Sequence, residues 1–443
     1  MAKYQLGLQR YRLNNLPAKT LVLRLPLIAS IFLTSTATTA LLYSPQAHAQ
    51  AAPAQGGEFV DLQQKPGTSG SESTLASSAE LLRRGLDEMN RQLFAEAAQD
   101  FREVLRRDPQ NLVARNNLAV ALKKQGQLDE ALQEYKKAIE GNPNRAELYN
   151  NLACTYMAQG NFTQAMQSFY QAIHLKPDYA SARYNLAHLM YLTGNYDGAI
   201  EQYQEAIRLE PKSAIMHRDF GDALKSAGQT KQAIIEYKAA ERLGDNSIHL
   251  LVKIARAEKD AQELSQARQT LERALEKEPK NTEVLNLLGL VCWRENHLKD
   301  AQAFFERALD LDPHYPQARN NLGIILYLLH RYEEAVAVWR QALAIKPDYA
   351  EVHYNMGAAL FRAGLYKQSA EAYSESLKYN AQDARAHNNR GLALAKLGEH
   401  KAALDEWRKA LQIDPDLGQA HINLGRELMQ GQPPNQEDIH ESG

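Results

Sequence analysis

From Ser78 to Leu417 the apolar residues fall in paired stripes that repeat every 34 residues. With Ser78 as position 1, positions 3, 7, 8 and 11 form one mostly apolar stripe, and positions 20, 24 and 27 form a second. Both stripes have the spacing of one helix face. Position 8 is small throughout: Gly85, Ala119, Ala153, Ala187, Gly221, Ala255, Gly289, Gly323, Gly357 and Gly391. Position 20 is alanine in every copy except Ser369, and position 24 is aromatic in every copy except Leu271. A proline closes eight of the ten units: Pro109, Pro143, Pro177, Pro211, Pro279, Pro313, Pro347 and Pro415, with Asp245 and Ala381 in the two remaining places. Proline has no N–H and its ring clashes with the preceding turn, so each one predicts the end of a second helix. The pattern predicts ten helix-turn-helix units, each burying its apolar stripes against the next.

A 34-residue period with these small, aromatic and proline positions resembles the tetratricopeptide repeat family, over residues 78–417 in ten copies without an insertion. The resemblance implies an all-α, right-handed superhelical solenoid whose first helices line a concave surface. Repeat 1 departs from the pattern at Arg84 and Glu88, as suits a terminal repeat with an exposed face. Gly418–Met429 repeats the first-helix pattern through Ala420, Ile422, Leu424 and Leu428, which predicts a capping helix over 418–430 and a disordered polar tail over 431–443. Repeats 5 to 7 fit least well. Asp245 stands in a proline place, and repeat 6 carries Glu258, Gln262 and Leu271 where other copies are mostly apolar, glycine or aromatic. Repeat 6 is therefore the expected weak point and the expected place for a bend.

The ends differ from the repeats. Residues 1–24 are basic, Leu25–Tyr43 carry no charge, and Ala47-His48-Ala49 gives a small-x-small site. That order predicts a signal peptide over 1–49, cleaved before Gln50, with an uncleaved membrane anchor as the alternative. An exported, periplasmic or otherwise extracytoplasmic protein is expected, or one anchored to a membrane by its N-terminus alone. Residues 50–77, rich in Ala, Gly, Ser, Pro and Gln, read as a flexible linker. The chain holds 51 basic and 53 acidic residues, and without the basic leader the balance is 46 against 53. Such a mildly acidic solenoid is a poor match for nucleic acid, which calls for a basic stripe. Cys154 and Cys292 lie four repeats apart, too far to bridge, and are expected as free thiols.

No phosphate-binding glycine loop, metalloprotease helix or nucleophile elbow occurs, so neither catalysis nor a cofactor is expected. His217, His353, His387 and His421 share position 4, but equivalent positions one repeat apart are too distant to share a metal. Position 6 carries the stronger pattern: Asn117, Asn151 and Asn185, then Asp219, Lys253 and Leu287, then Asn321, Asn355, Asn389 and, in the cap, Asn423. A carboxamide both donates and accepts and can pair with a peptide backbone. The row resembles the concave asparagine ladder of the O-linked N-acetylglucosamine transferase repeats, and the resemblance implies that these side chains hold extended peptides. Bonding between adjacent helices is the alternative. Tyr191, Trp293, Tyr327 and Phe361 at position 12 would add aromatic contacts for ligand side chains. The expected function is a non-enzymatic scaffold that binds extended segments of partner proteins, as in assembly of envelope complexes. The alternative is a structural subunit joined through its convex face or its ends.

Overall fold

The computed structural model describes residues 72–430. The leader, most of the linker and the tail lie outside these residues. The described residues form 21 α-helices and no strand. Ten helix pairs follow the 34-residue period, from Glu72–Asn90 with Phe94–Arg107 to Ala384–Lys396 with His400–Ile413, and Gly418–Gln430 follows alone. The fold is an all-α tetratricopeptide-type solenoid. Its first helix begins at Glu72, six residues before the predicted start, so the end of the expected linker is helical.

Two compact units are present among the described residues. Repeats 1 to 9 end at Tyr379, and repeat 10 with the final helix begins at Asn380. The boundary lies beside Ala381, one of the two places without the closing proline. At the other, near repeat 6, packing is continuous: one hydrophobic cluster runs from Ala153 to Val291. Asp245 replaces the proline with a side-chain turn, accepting from the Ser247 hydroxyl at 2.6 Å and its backbone N–H at 3.2 Å. Glu258 is fully buried, but its carboxylate lies 2.7 Å from Lys238 Nζ and accepts from Thr270 Oγ1 at 2.9 Å. Pairing and hydrogen bonding of this kind offset the desolvation of a buried charge.

Within a repeat, small position 8 seats the ring of position 24. A Cβ on Gly391 would stand 2.7 Å from Trp407 Nε1, and one on Gly85 would stand 2.7 Å from Phe101 Cε1. Trp339 and Trp407 both face glycine, and their indole N–H groups donate to the Asn320 and Asn388 carbonyls at 3.2 and 3.1 Å. The turn after each first helix needs a left-handed residue at position 15. Six repeats supply glycine there, with φ of 78° to 80°, while Gln92, Gln262, Asn296 and His330 adopt φ of 61° to 65°. An L residue is strained in that region, so these four turns are held by the helices they join. First helices are the inner layer: Leu112–Lys124 buries ten residues, whereas Leu128–Gly141 buries four.

Candidate functional site: the carboxamide rows of the first helices

Position 6 of each first helix meets position 5 of the first helix before it. Within repeats 1 to 9, Asn151 Nδ2 donates to Asn116 Oδ1 at 3.1 Å, and Asn185 Nδ2 donates to Asn150 Oδ1 at 2.9 Å. Asn321 bonds Asn286 in the same way at 3.0 Å, and Asn355 bonds Asn320 at 3.2 Å. In the C-terminal unit Asn423 donates to Asn388 at 2.9 Å, while Asn388 donates to Asn389 at 3.0 Å. The repeated spacing of 35 residues, one more than the period, sets this geometry. An exposed asparagine has water for a partner, but these are mostly buried. Only Asn321 and Asn389 of the predicted ladder are half-exposed.

Sequence reasoning did not find the position-5 half of each rung. Its signal was present in the doublets Asn116-Asn117, Asn150-Asn151, Asn320-Asn321 and Asn388-Asn389. Where the doublet fails, the pairing changes. Tyr184 Oη donates to Asp219 Oδ2 at 2.6 Å, and burial, followed by the nearby Asp219 carboxylate, pushes the Tyr184 phenol well above its ordinary range. Lys253 reaches Asp222 at 2.6 and 2.7 Å, and Tyr237 Oη donates to the same carboxylate at 2.7 Å. Between repeats 6 and 7 the two positions are Val252 and Leu287, both buried in the same cluster. At the N-terminal end Leu82 precedes Asn117, whose fully buried amide has no hydrogen-bond partner on either atom among the described residues.

The aromatic side chains at position 12 pack against position 17 of their own repeat. Tyr191 meets Tyr196, Tyr327 meets Tyr332 and Phe361 meets Tyr366, with ring centroids 5.8, 5.4 and 5.3 Å apart. Tyr327 is buried, while Tyr191 and Phe361 are half-exposed. Where position 4 is arginine or histidine, it fastens the turn before the first helix. His217 Nε2 lies 3.2 Å from the Pro211 carbonyl and its Nδ1 lies 2.6 Å from Glu236 Oε2. His387 bridges Ala381 and Glu406 at 3.4 and 2.7 Å, and Arg115 reaches both Pro109 and Glu134. Burial alone would push the Glu406 carboxyl up, but His387, Lys409 and Arg390 hold it down at about 2. Among the described residues no group of three or more His, Cys, Asp or Glu could hold a metal ion, and no helix is long and apolar enough to cross a membrane. Neither cysteine is in a disulfide, and both are buried.

Stacked helix pairs, a 34-residue period, ring seats at position 8 and inter-repeat rungs define a tetratricopeptide solenoid. Family models described as tetratricopeptide repeat match residues 101–133, 156–218, 191–248, 252–316, 304–337 and 384–417, and models described as TPR repeat match 121–160, 325–364 and 359–398. The chain belongs to the tetratricopeptide repeat family. A search of curated proteins gave no match. Among solved structures it is similar to YrrB, described as a TPR protein with an unusual peptide-binding site, at 21% identity over 42% of this chain and 96% of that one, with a TM-score of 0.37. It is also similar to pilF of Pseudomonas aeruginosa, at 20% identity over 48% of this chain and 97% of that one, TM-score 0.43. Yeast Tom70 matches at 15% identity over 81% of this chain and 89% of that one, TM-score 0.40.

Proposed function

We propose that this protein is an exported, non-enzymatic scaffold that binds extended segments of partner proteins along its first helices, in the assembly of an envelope complex. Family membership supports a role in protein–protein interaction. The observation that carries the peptide reading is the row of carboxamides on the inner helix layer. Each rung uses one N–H of a position-6 amide, and a carboxamide has a second N–H and two acceptor lone pairs. Asn321, half-exposed, is the member best placed to offer that remaining capacity; Asn389, Tyr191 and Phe361 are also half-exposed. Asn117, Asn151, Asn185, Asn355, Asn423 and Tyr327 support the row from below the surface.

The test must separate ligand binding from architecture. Replacing one rung partner leaves a buried polar group unpaired, whereas replacing both by apolar residues of similar shape is nearly neutral. The chain already contains such an apolar pair at Val252 and Leu287. Asn286→Val with Asn321→Leu copies it. Extended peptides selected on the full-length protein should lose at least about tenfold in affinity for this variant, roughly 1.4 kcal/mol, and also for Phe361→Ala. If the folded double variant and Phe361→Ala both bind unchanged, the rungs are architectural and the groove is not where peptides bind. Export predicts a mature N-terminus at Gln50, read by mass spectrometry. An intact Met1 terminus in soluble cytosol would refute it.

A further inference from the structure

The final helix, Gly418–Gln430, keeps the residues of a first helix, and among the described residues no second helix follows it as one does in each of the ten repeats. Its open face shows three apolar side chains: Ile422, Leu428 and Met429 are 50%, 46% and 78% exposed. At its centre is Gly425, at position 8. In six repeats the glycine at this position lies against the ring of position 24, so close that a Cβ would stand within about 3 Å of it; a Cβ on Gly425 would meet nothing within 4 Å. Glycine inside a helix is destabilising relative to alanine, and nothing among the described residues uses the space it leaves.

His421 repeats the other half of the template. Its Nε2 lies 2.8 Å from the Pro415 carbonyl, as His217 lies against Pro211 and His387 against Ala381. In those two repeats, and at Arg115, the position-4 side chain also bonds a glutamate at position 23: Glu236, Glu406 and Glu134. All three glutamates sit in the sequence Ala-x-x-Glu-aromatic, as Ala131 to Tyr135, Ala233 to Tyr237 and Ala403 to Trp407. In each the glutamate meets the basic side chain; in the second and third the ring also enters a glycine seat, at Gly221 and Gly391, while position 8 of the first is Ala119. Residues 431–443 contain no aromatic residue and no such sequence.

We infer that the open face of Gly418–Gln430 is a docking site for one amphipathic helix of a partner protein carrying Ala-x-x-Glu-aromatic. The partner continues the stack: its ring fills the seat at Gly425 and its glutamate pairs with His421. This is helix-in-groove recognition, on an end of the solenoid, and it does not rest on the peptide reading of the carboxamide row.

A stapled peptide copying His400–Ile413, which contains Ala403, Glu406 and Trp407, is the probe. Titrated against the full-length protein by fluorescence anisotropy, it should bind with a Kd of roughly 10–100 μM, in the range of a single modest helix contact. Gly425→Leu puts a side chain into the seat, and its Cβ would meet nothing within 4 Å; circular dichroism verifies that the fold is kept. It should weaken binding at least about tenfold, or 1.4 kcal/mol, as should the Trp407→Ala form of the peptide. No saturable binding, or equal binding to Gly425→Leu, overturns the inference. Self-association of the full-length chain that Gly425→Leu abolishes, read by sedimentation velocity, also overturns it by assigning the face to a second copy.

Discussion

The rung between Asn116 and Asn151 tests why asparagine recurs in this chain. Both residues are at least 98% buried, and Asn151 Nδ2 donates to Asn116 Oδ1 at 3.1 Å. Asn116 Nδ2 has no hydrogen-bond partner among the described residues, so the rung is its amide's hydrogen bond to the next repeat. Asn151→Ala removes a bond contributing about 1 kcal/mol and leaves a buried acceptor unsatisfied at about 1–3 kcal/mol, for a total of roughly 2–4 kcal/mol. In a solenoid the loss stays near repeats 2 and 3. Amide hydrogen exchange resolved along the sequence should therefore quicken there by roughly 30- to 700-fold, with repeats 8 and 9 unaffected. Asn116→Val with Asn151→Leu, the pair found at Val252 and Leu287, should restore protection to within about 1 kcal/mol of the parent. A single variant indistinguishable from the parent would show that the rung contributes nothing. A double variant worse than the single would show that shape, not amide satisfaction, governs the position.

Three further outcomes are expected. Gln262→Gly relieves the left-handed turn of repeat 6, where φ is 65°, and should add about 1 kcal/mol to local stability by hydrogen exchange, since the strain of an L residue there is about 1–2 kcal/mol and glycine's extra unfolded-state freedom offsets part of it. Gly391→Ala drives a methyl into Trp407 and should cost about 1–3 kcal/mol, with a changed tryptophan emission spectrum. The Glu406 carboxyl is held down at about 2 against about 4.3 in a model peptide. Its contribution is therefore fully present above the unfolded value and is lost as pH falls from about 4.5 to 2. Acid titration of helicity should show Glu406→Gln flattening that window by roughly 3 kcal/mol, and an unchanged acid limb would contradict the pairing.

Periodicity alone determined the helix pairs, their number and their boundaries to within a residue or two in the interior, because an apolar stripe, a closing proline and a turn glycine are local signals. Small position 8 opposite aromatic position 24 was also legible, though only the packed structure identified the glycine as a seat for its own repeat's ring. The asparagines were visible as a row, and their partners were not. A rung joins residues 35 apart, on different helices, and no local rule says whether an amide in that row faces water or its neighbour. The misfits around repeat 6 were legible as departures, but the consequence of Glu258 depended on Lys238 and Thr270, which pair with its carboxylate only once the helices stack, whereas Asp245 is answered within its own turn by Ser247. The boundary after Tyr379 likewise belongs to the assembled fold. Sequence carried what each repeat needs from itself. Tertiary structure decided what each repeat takes from the next, because burial turns a polar side chain from one that can bond water into one that must find a partner.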